Sequence, residues 1–173
     1  MKFRQLVLLG SFCFLSVAAL GQREAVQAQQ ELVGSKLWRL EFTDWIRNQP
    51  EDSSFRGKYK VLEFWASWCR PCLEAVPHLN ELQRRFSDSA IVFLSVAYEA
   101  PESLKKAMEK VNFETIVVSD QTQQLHLQLR IGYRGTLFLP RTVILGPDNK
   151  ILWYGTPRAL TEKLIETFLK RKS

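Results

Sequence analysis

A short apolar run that leads directly into two cysteines constrains the fold of this chain more than any other part of its sequence. Residues 60–65, KVLEFW, form a nearly continuous apolar segment, which is typical of a strand covered on both faces of a sheet. Cys69 and Cys72 follow closely, and apolar residues spaced by three and four from Pro71 onward indicate a helix. The pattern therefore predicts a buried strand, a close pair of thiols and a helix in immediate succession.

Further strand and helix patterns alternate along the rest of the chain. Apolar runs predict strands at 90–96 and 115–120, and amphipathic stretches predict helices at 101–111 and 121–130. Two apolar segments that flank the turn sequence PDNK predict a β-hairpin, and an amphipathic helix closes the chain. The weakly alternating segment 37–42 predicts an edge strand. This order predicts an α/β domain in which helices flank both faces of a central mixed β-sheet.

The beginning of the sequence predicts an export signal. Residues 1–21 carry Lys2 and Arg4 ahead of an uncharged, mostly apolar run, and they end in small residues at the spacing that a signal peptidase prefers. The apolar run is shorter than the ~20 residues of a membrane-spanning helix, which favours cleavage over N-terminal anchoring. Residues 22–36 are polar and predict a leader or linker, so the folded domain is expected over residues 37–173. We expect the protein to work in the periplasm or cell envelope, where disulfides persist.

The composition argues against a nucleic-acid partner. Of 173 residues, 24 are lysine or arginine and 18 are aspartate or glutamate, and the excess positive charge is scattered rather than gathered in a basic stripe with interleaved aromatic residues. The chain has three cysteines, of which Cys13 lies inside the predicted signal, so the mature chain keeps only Cys69 and Cys72. A monomer is expected.

Three kinds of chemistry would use these two cysteines. A structural disulfide across so short a loop would contribute roughly 2 kcal/mol, near the bottom of the useful range. A structural zinc site needs four ligands, and only His78 and His126 could complete one; we assign both histidines to helix surfaces, without a role. Dithiol–disulfide exchange fits best, because backbone N–H groups and the helix dipole at a helix start favour a thiolate at Cys69. Cys72, one turn further, would then attack Cys69 and release the reduced partner.

The sequence FWASWCRPC resembles the active site of the thioredoxin fold, and residues 35–170 resemble the exported TlpA/ResA-like thiol-disulfide oxidoreductases. The resemblance includes Pro77, an extra strand–helix segment near 97–130, and the sequence LPRTVIL ahead of the hairpin. It implies a thioredoxin-like fold with a cis-proline at Pro140. It also implies a cysteine pair that cycles between dithiol and disulfide, with no further cofactor and no metal.

The same resemblance implies how substrates bind. The Leu139 backbone is expected to pair with an extended substrate strand, and Pro140 to pack against both cysteines. Trp68 is expected to form an apolar rim for docking partners, with core packing as the alternative. Arg141 is a further candidate for substrate binding, with a solvated strand end as the alternative.

The two residues between the cysteines, Arg70 and Pro71, are expected to tune the redox potential. A cation at Arg70 stabilises the thiolate.

Glu63 is an acid inside an otherwise apolar strand. Its side chain is expected to be buried, which raises the pKa of a carboxyl group unless a partner stabilises the charge. A carboxyl group poised near neutrality can take the Cys72 proton, a role that thioredoxin gives to an acid at the matching position. The alternative is a salt bridge to a neighbour such as Lys60. Many TlpA/ResA-like proteins carry a glutamate where this chain has Ala75, and Glu74 lies one position off, so we expect Glu63 to replace the missing acid.

These features predict an exported reductase of disulfides in envelope proteins. The resemblance implies substrates that include those of cytochrome c maturation, and a membrane thiol donor that supplies the electrons. An oxidase or isomerase is an alternative, because potentials in this fold span about −270 to −120 mV. A thiol- or metal-binding module is an alternative from a different class. A peroxidase is not expected, since the pattern Pro-x-x-x-Thr-x-x-Cys is absent from the sequence. Residues 132–138, GYRGTLF, predict a loop that selects partners or a plain surface insertion.

Overall fold

The structure is a computed structural model that describes residues 23–170. The predicted export signal, residues 1–21 with Cys13, lies outside the described residues. Among the residues described, no helix is both long enough and apolar enough to cross a bilayer.

Strands and helices alternate along the described chain. The strands are β1 (Asp44–Arg47), β2 (Tyr59–Phe64), β3 (Ile91–Ala97), β4 (Ile116–Ser119), β5 (Gly132–Tyr133), β6 (Thr136–Leu137), β7 (Arg141–Leu145) and β8 (Ile151–Gly155). The helices are α1 (23–30), α2 (Arg70–Arg85), α3 (Pro101–Met108), α4 (Gln124–Gln128) and α5 (Glu162–Lys170), with a 3-10 turn at Pro157–Ala159 before α5.

The larger sheet is mixed, with the strand order β1-β4-β3-β2-β7-β8. β2 lies at its centre, parallel to β3 and antiparallel to β7, and all six residues of β2 are buried. β4 pairs in parallel with β3, whereas β1 and β8 form antiparallel edges. This confirms the continuous apolar run as a strand covered on both faces, and it confirms the predicted central mixed sheet and the hairpin at its end.

Alternate residues of the central strand face two different apolar cores. Val61 packs with Leu79 of α2 and Ile165 of α5 on one face. Phe64 points the other way and packs with Leu125 of α4. Successive side chains of a strand point to opposite faces, so helices cover β2 from both sides as predicted. Burying each such side chain contributes about 1.5–3 kcal/mol relative to leaving it in water.

The prediction of an edge strand at 37–42 is wrong, because β1 occupies the sheet edge beside β4. Leu37 is buried and its backbone N–H donates to the Asn149 carbonyl at 2.9 Å, next to the β7–β8 turn. The Trp38 side chain, by contrast, is 72% exposed. Only the start of the segment runs beside the sheet, where Lys36 forms an isolated antiparallel bridge with Lys150 ahead of β8. The weak alternation continues past this bridge without further strand pairing.

The prediction of a polar leader or linker at 22–36 misses a docked helix. Ala25 is fully buried, and the Gln29 side-chain amide donates to the Arg130 carbonyl at 2.8 Å. The Arg130 guanidinium in turn lies 3.0 Å from a Glu31 carboxylate oxygen. Small alanine side chains permit close approach, and the polar partners lie about a hundred residues away, so composition alone does not reveal this contact surface.

Residues 132–138 form an ordered hairpin rather than an irregular loop. β5 and β6 pair antiparallel around a turn in which Arg134 and Gly135 have φ values of 48° and 77°. The Arg134 guanidinium lies 2.6 Å from the Glu24 carboxylate of α1, which ties the hairpin to that helix. The hairpin leads directly into Leu139 and therefore lies next to the segment that carries the predicted cis-proline.

Candidate active site

Cys69 and Cys72 lie where the central strand gives way to α2. Cys69 is the residue that precedes the helix, and Pro71 occupies its first turn, where a missing backbone N–H is no loss. The two cysteines form a disulfide with Cα atoms 5.3 Å apart, and their side chains are 4% and 2% exposed. The positive end of the helix dipole lies at Cys69, which favours its thiolate when the bond is reduced.

The antiparallel pairing of β2 and β7 brings a second segment to the cysteines. Phe64, the last residue of β2, pairs with Arg141, the first residue of β7. The residues just before Arg141 therefore lie beside those just after Phe64. The peptide bond between Leu139 and Pro140 is cis, as the resemblance implied. Leu139 packs against the apolar cluster that contains both cysteines.

A groove of about 440 Å³ opens beside this junction. Its lining residues come from α2, the cis-proline segment and the 3-10 turn: Pro71, Glu74, Ala75, His78, Pro140, Thr156, Pro157 and Arg158. Prolines and alanine have no polar side-chain atoms, so this part of the lining suits an apolar side chain of a partner. The sequence predictions missed Ala75, His78 and the turn residues as site residues, because only the order of the sheet brings β8 and its following turn to α2.

Glu63 is buried in the middle of β2, in register with Ser95 on β3 and Thr142 on β7. The Thr142 hydroxyl donates to Glu63 Oε2, while Oε1 has no hydrogen-bond partner. Burial raises the pKa of Glu63 well above its usual value, against the smaller effects of the Thr142 hydrogen bond and the Arg141 charge. Glu63 points to the same face of the strand as Trp65, whose ring packs in the cluster that contains both cysteines.

The alternative of a salt bridge between Glu63 and Lys60 is wrong. The Lys60 ammonium donates to the Gly146 and Pro147 carbonyls, both at 3.2 Å, and to the Asn149 side chain at 2.8 Å. Burial lowers the pKa of Lys60, and these acceptors belong to the β7–β8 turn at the other end of the strand. The charge of Arg141, rather than that of Lys60, acts on Glu63.

The predicted redox-tuning and rim residues lie on the surface next to the disulfide. The Arg70 side chain is 89% exposed, and its guanidinium lies 2.7 Å from the Glu74 carboxylate. Glu74 therefore partly compensates the charge of Arg70. Trp68 is 62% exposed, which excludes core packing and fits an apolar rim. Arg141 is half-buried, burial lowers its pKa, and its Nε has no acceptor, so its assignment to substrate binding stays a prediction.

His78 is half-buried on α2, in line with its assignment to a helix surface, whereas the same assignment for His126 is wrong. A His78 ring nitrogen lies 2.8 Å from the Leu160 carbonyl at the side of the groove. His126 is 1% exposed, and its Nδ1 lies 2.9 Å from Oδ2 of the buried Asp120. Within residues 23–170, no group of three or more His, Cys, Asp or Glu side chains is arranged to hold a metal ion.

Asp120 is expected to matter for stability rather than chemistry. Burial alone would raise its pKa, but hydrogen bonds from His126 and Thr122 outweigh it and lower the pKa below the usual 3.8. A lowered pKa means that this stabilisation is present above that value and is lost as pH falls through the folded-state pKa. We expect Asp120→Asn to reduce the free energy of unfolding at pH 7 by about 1–3 kcal/mol in urea titrations.

The matched control for this prediction is Asp88→Asn, at an exposed position. It is expected to leave the free energy of unfolding within about 0.5 kcal/mol of wild type. The difference between Asp120→Asn and wild type should also shrink below pH 3.8, where the unfolded-state carboxyl is protonated. Equal stability of the two variants at pH 7 would contradict the prediction.

A Cys-x-x-Cys disulfide at a helix start, next to a cis-proline at the head of the adjoining antiparallel strand, supports exchange of thiols and disulfides. The fold and this site place the chain among the thioredoxin-like thiol-disulfide oxidoreductases. Residues 33–154 match the model of the AhpC/TSA family, and the chain belongs to that family.

Individual relatives agree with this assignment. Thiol-disulfide oxidoreductase ResA of Bacillus thuringiensis subsp. konkukian is 24% identical over 170 residues, covering 98% of this chain and 94% of the relative. The structure of a thiol-disulfide oxidoreductase from Bacteroides fragilis NCTC 9343 superposes with a TM-score of 0.57 and 30% identity, over 68% of this chain and 86% of that one. The thioredoxin domain of a thiol-disulfide oxidoreductase from Bacteroides vulgatus matches in fold, with 20% identity, a TM-score of 0.54 and coverage of 76% and 99%.

Proposed function

We propose that this thiol-disulfide oxidoreductase is exported and reduces disulfides in proteins of the periplasm or cell envelope. The observation that carries the proposal is the Cys69–Cys72 disulfide at the start of α2, beside the groove that meets Pro140. The exposed Trp68 supplies an apolar rim for a protein partner. The apolar run and small residues at the beginning of the sequence support export.

The reaction is a two-electron exchange through a mixed disulfide. The Cys69 thiolate attacks one sulfur of the partner's disulfide, forms a Cys69–partner bond and expels the partner's other sulfur as a thiolate. The Cys72 thiolate then attacks the Cys69 sulfur, forms the Cys69–Cys72 bond and expels the second partner thiolate. Two electrons thus pass from the dithiol to the partner, and the two protons lost by the cysteines end on the partner's thiols.

Glu63 is assigned the proton of Cys72. A thiol must lose its proton before it attacks, and Glu63 is the acid buried on the face of β2 that meets the cysteine cluster. The raised pKa of Glu63 is closer to the pKa of a thiol than the pKa of an exposed glutamate would be. The free Oε1 is the oxygen that can take the proton, since Oε2 accepts the Thr142 hydrogen bond.

Partners follow from the groove and the resemblance. An extended substrate segment would pair with the Leu139 backbone, pack on Pro140 and place an apolar side chain in the groove. We assign the substrates to envelope proteins with accessible disulfides, including those of cytochrome c maturation. A membrane thiol donor would return two electrons to the Cys69–Cys72 disulfide by the same exchange, so the protein would need no further cofactor and would act as a monomer.

The equilibrium redox potential of Cys69 and Cys72 tests the direction of electron flow. We expect a value below about −230 mV when the pair is equilibrated in glutathione buffers and read by thiol trapping, because a reductase must be more reducing than its substrates. A value near −120 to −150 mV would contradict a reductase and favour the oxidase. A pair that never cycles would favour a thiol-binding module, which metal titration of the reduced protein would then detect as tight one-to-one binding.

A further inference from the structure

Glu99 holds the loop that carries Trp68 and Cys69. The backbone N–H of Ser67 donates to Glu99 Oε2 at 2.7 Å, and the Ser67 hydroxyl donates to Glu99 Oε1. Both carboxylate oxygens therefore accept a hydrogen bond from a single residue. The loop between β2 and α2 is fixed through this contact to the segment that follows β3.

The segment around Glu99 is itself anchored. The Ser119 hydroxyl donates to the Glu99 carbonyl at 2.7 Å, and the Asp120 N–H donates to the Ala97 carbonyl at 2.8 Å. These bonds come from the end of β4, the parallel neighbour of β3. The strand ends thus hold the backbone of Glu99, and the Ser67 loop holds its carboxylate.

The fixed carboxylate lies close to the reactive cysteine. Ser67 precedes Cys69 by two residues, so their Cα atoms are at most about 7 Å apart. Adding the N–Cα bond of Ser67 and the hydrogen bond of 2.7 Å places the Glu99 carboxylate oxygen within roughly 11 Å of the Cys69 Cα atom. This distance is close to the Debye length of about 8–10 Å at ordinary ionic strength. Of the other charges beside the pair, Arg70 is compensated by Glu74.

We propose that Glu99 is a positioning residue of the exchange reaction, which fixes the Cys69 loop through Ser67 and keeps a negative charge near Cys69. A nearby negative charge disfavours a thiolate, and a less stable thiolate favours the disulfide. Glu99 therefore opposes the helix start and makes the pair a stronger reductant. The inference rests on the proposed exchange cycle and adds a residue to it.

The substitution Glu99→Gln tests the role of the charge, because it removes the negative charge and preserves the length of the side chain. In Glu99→Gln, we expect the pKa of the Cys69 thiol to fall, so that alkylation of reduced Cys69 by iodoacetamide at pH 6 becomes about three- to tenfold faster. The equilibrium constant for disulfide formation in glutathione buffers should fall by a similar factor, and a tenfold change corresponds to about 30 mV. Mass spectrometry of the alkylated protein identifies which cysteine reacted.

Two further variants separate charge from geometry. Glu102→Gln removes an exposed acid in the first turn of α3 and is expected to change both quantities less than twofold. Ser67→Ala removes the hydroxyl bond but keeps the charge, and it is also expected to stay within twofold of wild type. Ser67→Ala keeps the proposal testable if Glu99→Gln does not fold, because a larger change there would show that hydrogen-bond geometry sets the reactivity.

The outcomes distinguish this proposal from the function on which it rests. A wild-type pair that never cycles in glutathione buffers would contradict the exchange cycle itself. A pair that cycles normally but keeps its thiol pKa and equilibrium constant in Glu99→Gln would overturn only the role of Glu99. Equal shifts in Glu99→Gln and Glu102→Gln would also overturn it, since net charge alone would then explain the effect.

Discussion

Glu63→Gln is expected to slow resolution of the mixed disulfide by about 10²–10⁴-fold at pH 7, the range typical of a lost general base. The glutamine can still accept the Thr142 hydrogen bond, so the packing is preserved while the proton acceptor is removed. The measurement is the single-turnover release of a reduced partner peptide, followed by mass spectrometry after rapid acid quenching. The rate deficit should shrink at high pH, where Cys72 ionises without help.

The same substitution is expected to stabilise the oxidised protein at neutral and higher pH. The pKa of Glu63 is raised by folding above the usual 4.5, so its contribution to stability is fully present below that value and is lost as pH rises toward the folded-state pKa. Glutamine does not ionise, and each pKa unit is worth about 1.4 kcal/mol, so we expect a gain of ~1 kcal/mol or more at pH 8 in urea unfolding.

The control is Glu81→Gln, at an exposed position of α2. It should leave both the rate and the free energy of unfolding close to wild type. A Glu63→Gln protein that resolves mixed disulfides at the wild-type rate would remove Glu63 from the reaction, even if the stability gain appeared. A loss of stability at pH 8 would instead contradict the raised pKa of its carboxyl group.

Cys72→Ser is expected to reduce turnover of a protein disulfide by at least about a thousandfold, because a residue that acts in the covalent sequence is removed. Cys69 can still attack the partner, so the product should be a stable Cys69–partner disulfide. That species is detected on non-reducing gels and by mass spectrometry, and it disappears on addition of dithiothreitol.

Cys69→Ser is the matched control, since it removes one thiol from the same pair. It should also lose turnover, but it should trap no partner, because the remaining thiol lies inside α2, past the helix start at which the dipole favours a thiolate. Trapping by Cys69→Ser together with none by Cys72→Ser would reverse the two roles.

The chemistry of the site is largely readable from the sequence because its central part is local. The apolar run of β2, the cysteine pair and the start of α2 are consecutive, so spacing alone orders them and places Glu63 in the strand. Pro140 required the resemblance, since most X–Pro bonds in folded proteins are trans and nothing in the local sequence identifies a cis one.

Contacts between distant segments account for what the sequence did not reveal. Asp120 and His126 form a buried pair at the end of β4, which a polar helical pattern cannot distinguish from a solvated face. The docking of α1 depends on Arg130 and Arg134, about a hundred residues further on. The hydrogen bonds from Ser67 to Glu99 follow from the parallel pairing of β2 and β3, which brings the ends of both strands to one edge of the sheet.

The antiparallel pairing of β2 and β7 has a consequence for how such a protein can diversify. The two halves of the site, Cys69–Cys72 and Leu139–Pro140, meet across one ladder, while everything between residues 98 and 138 enters and leaves near the same sheet edge. A change in the length or sequence of the β5–β6 hairpin therefore alters the surface beside Leu139 and leaves in place the ladder that holds the two halves together. The sheet can thus keep its sulfur chemistry while the neighbouring surface varies.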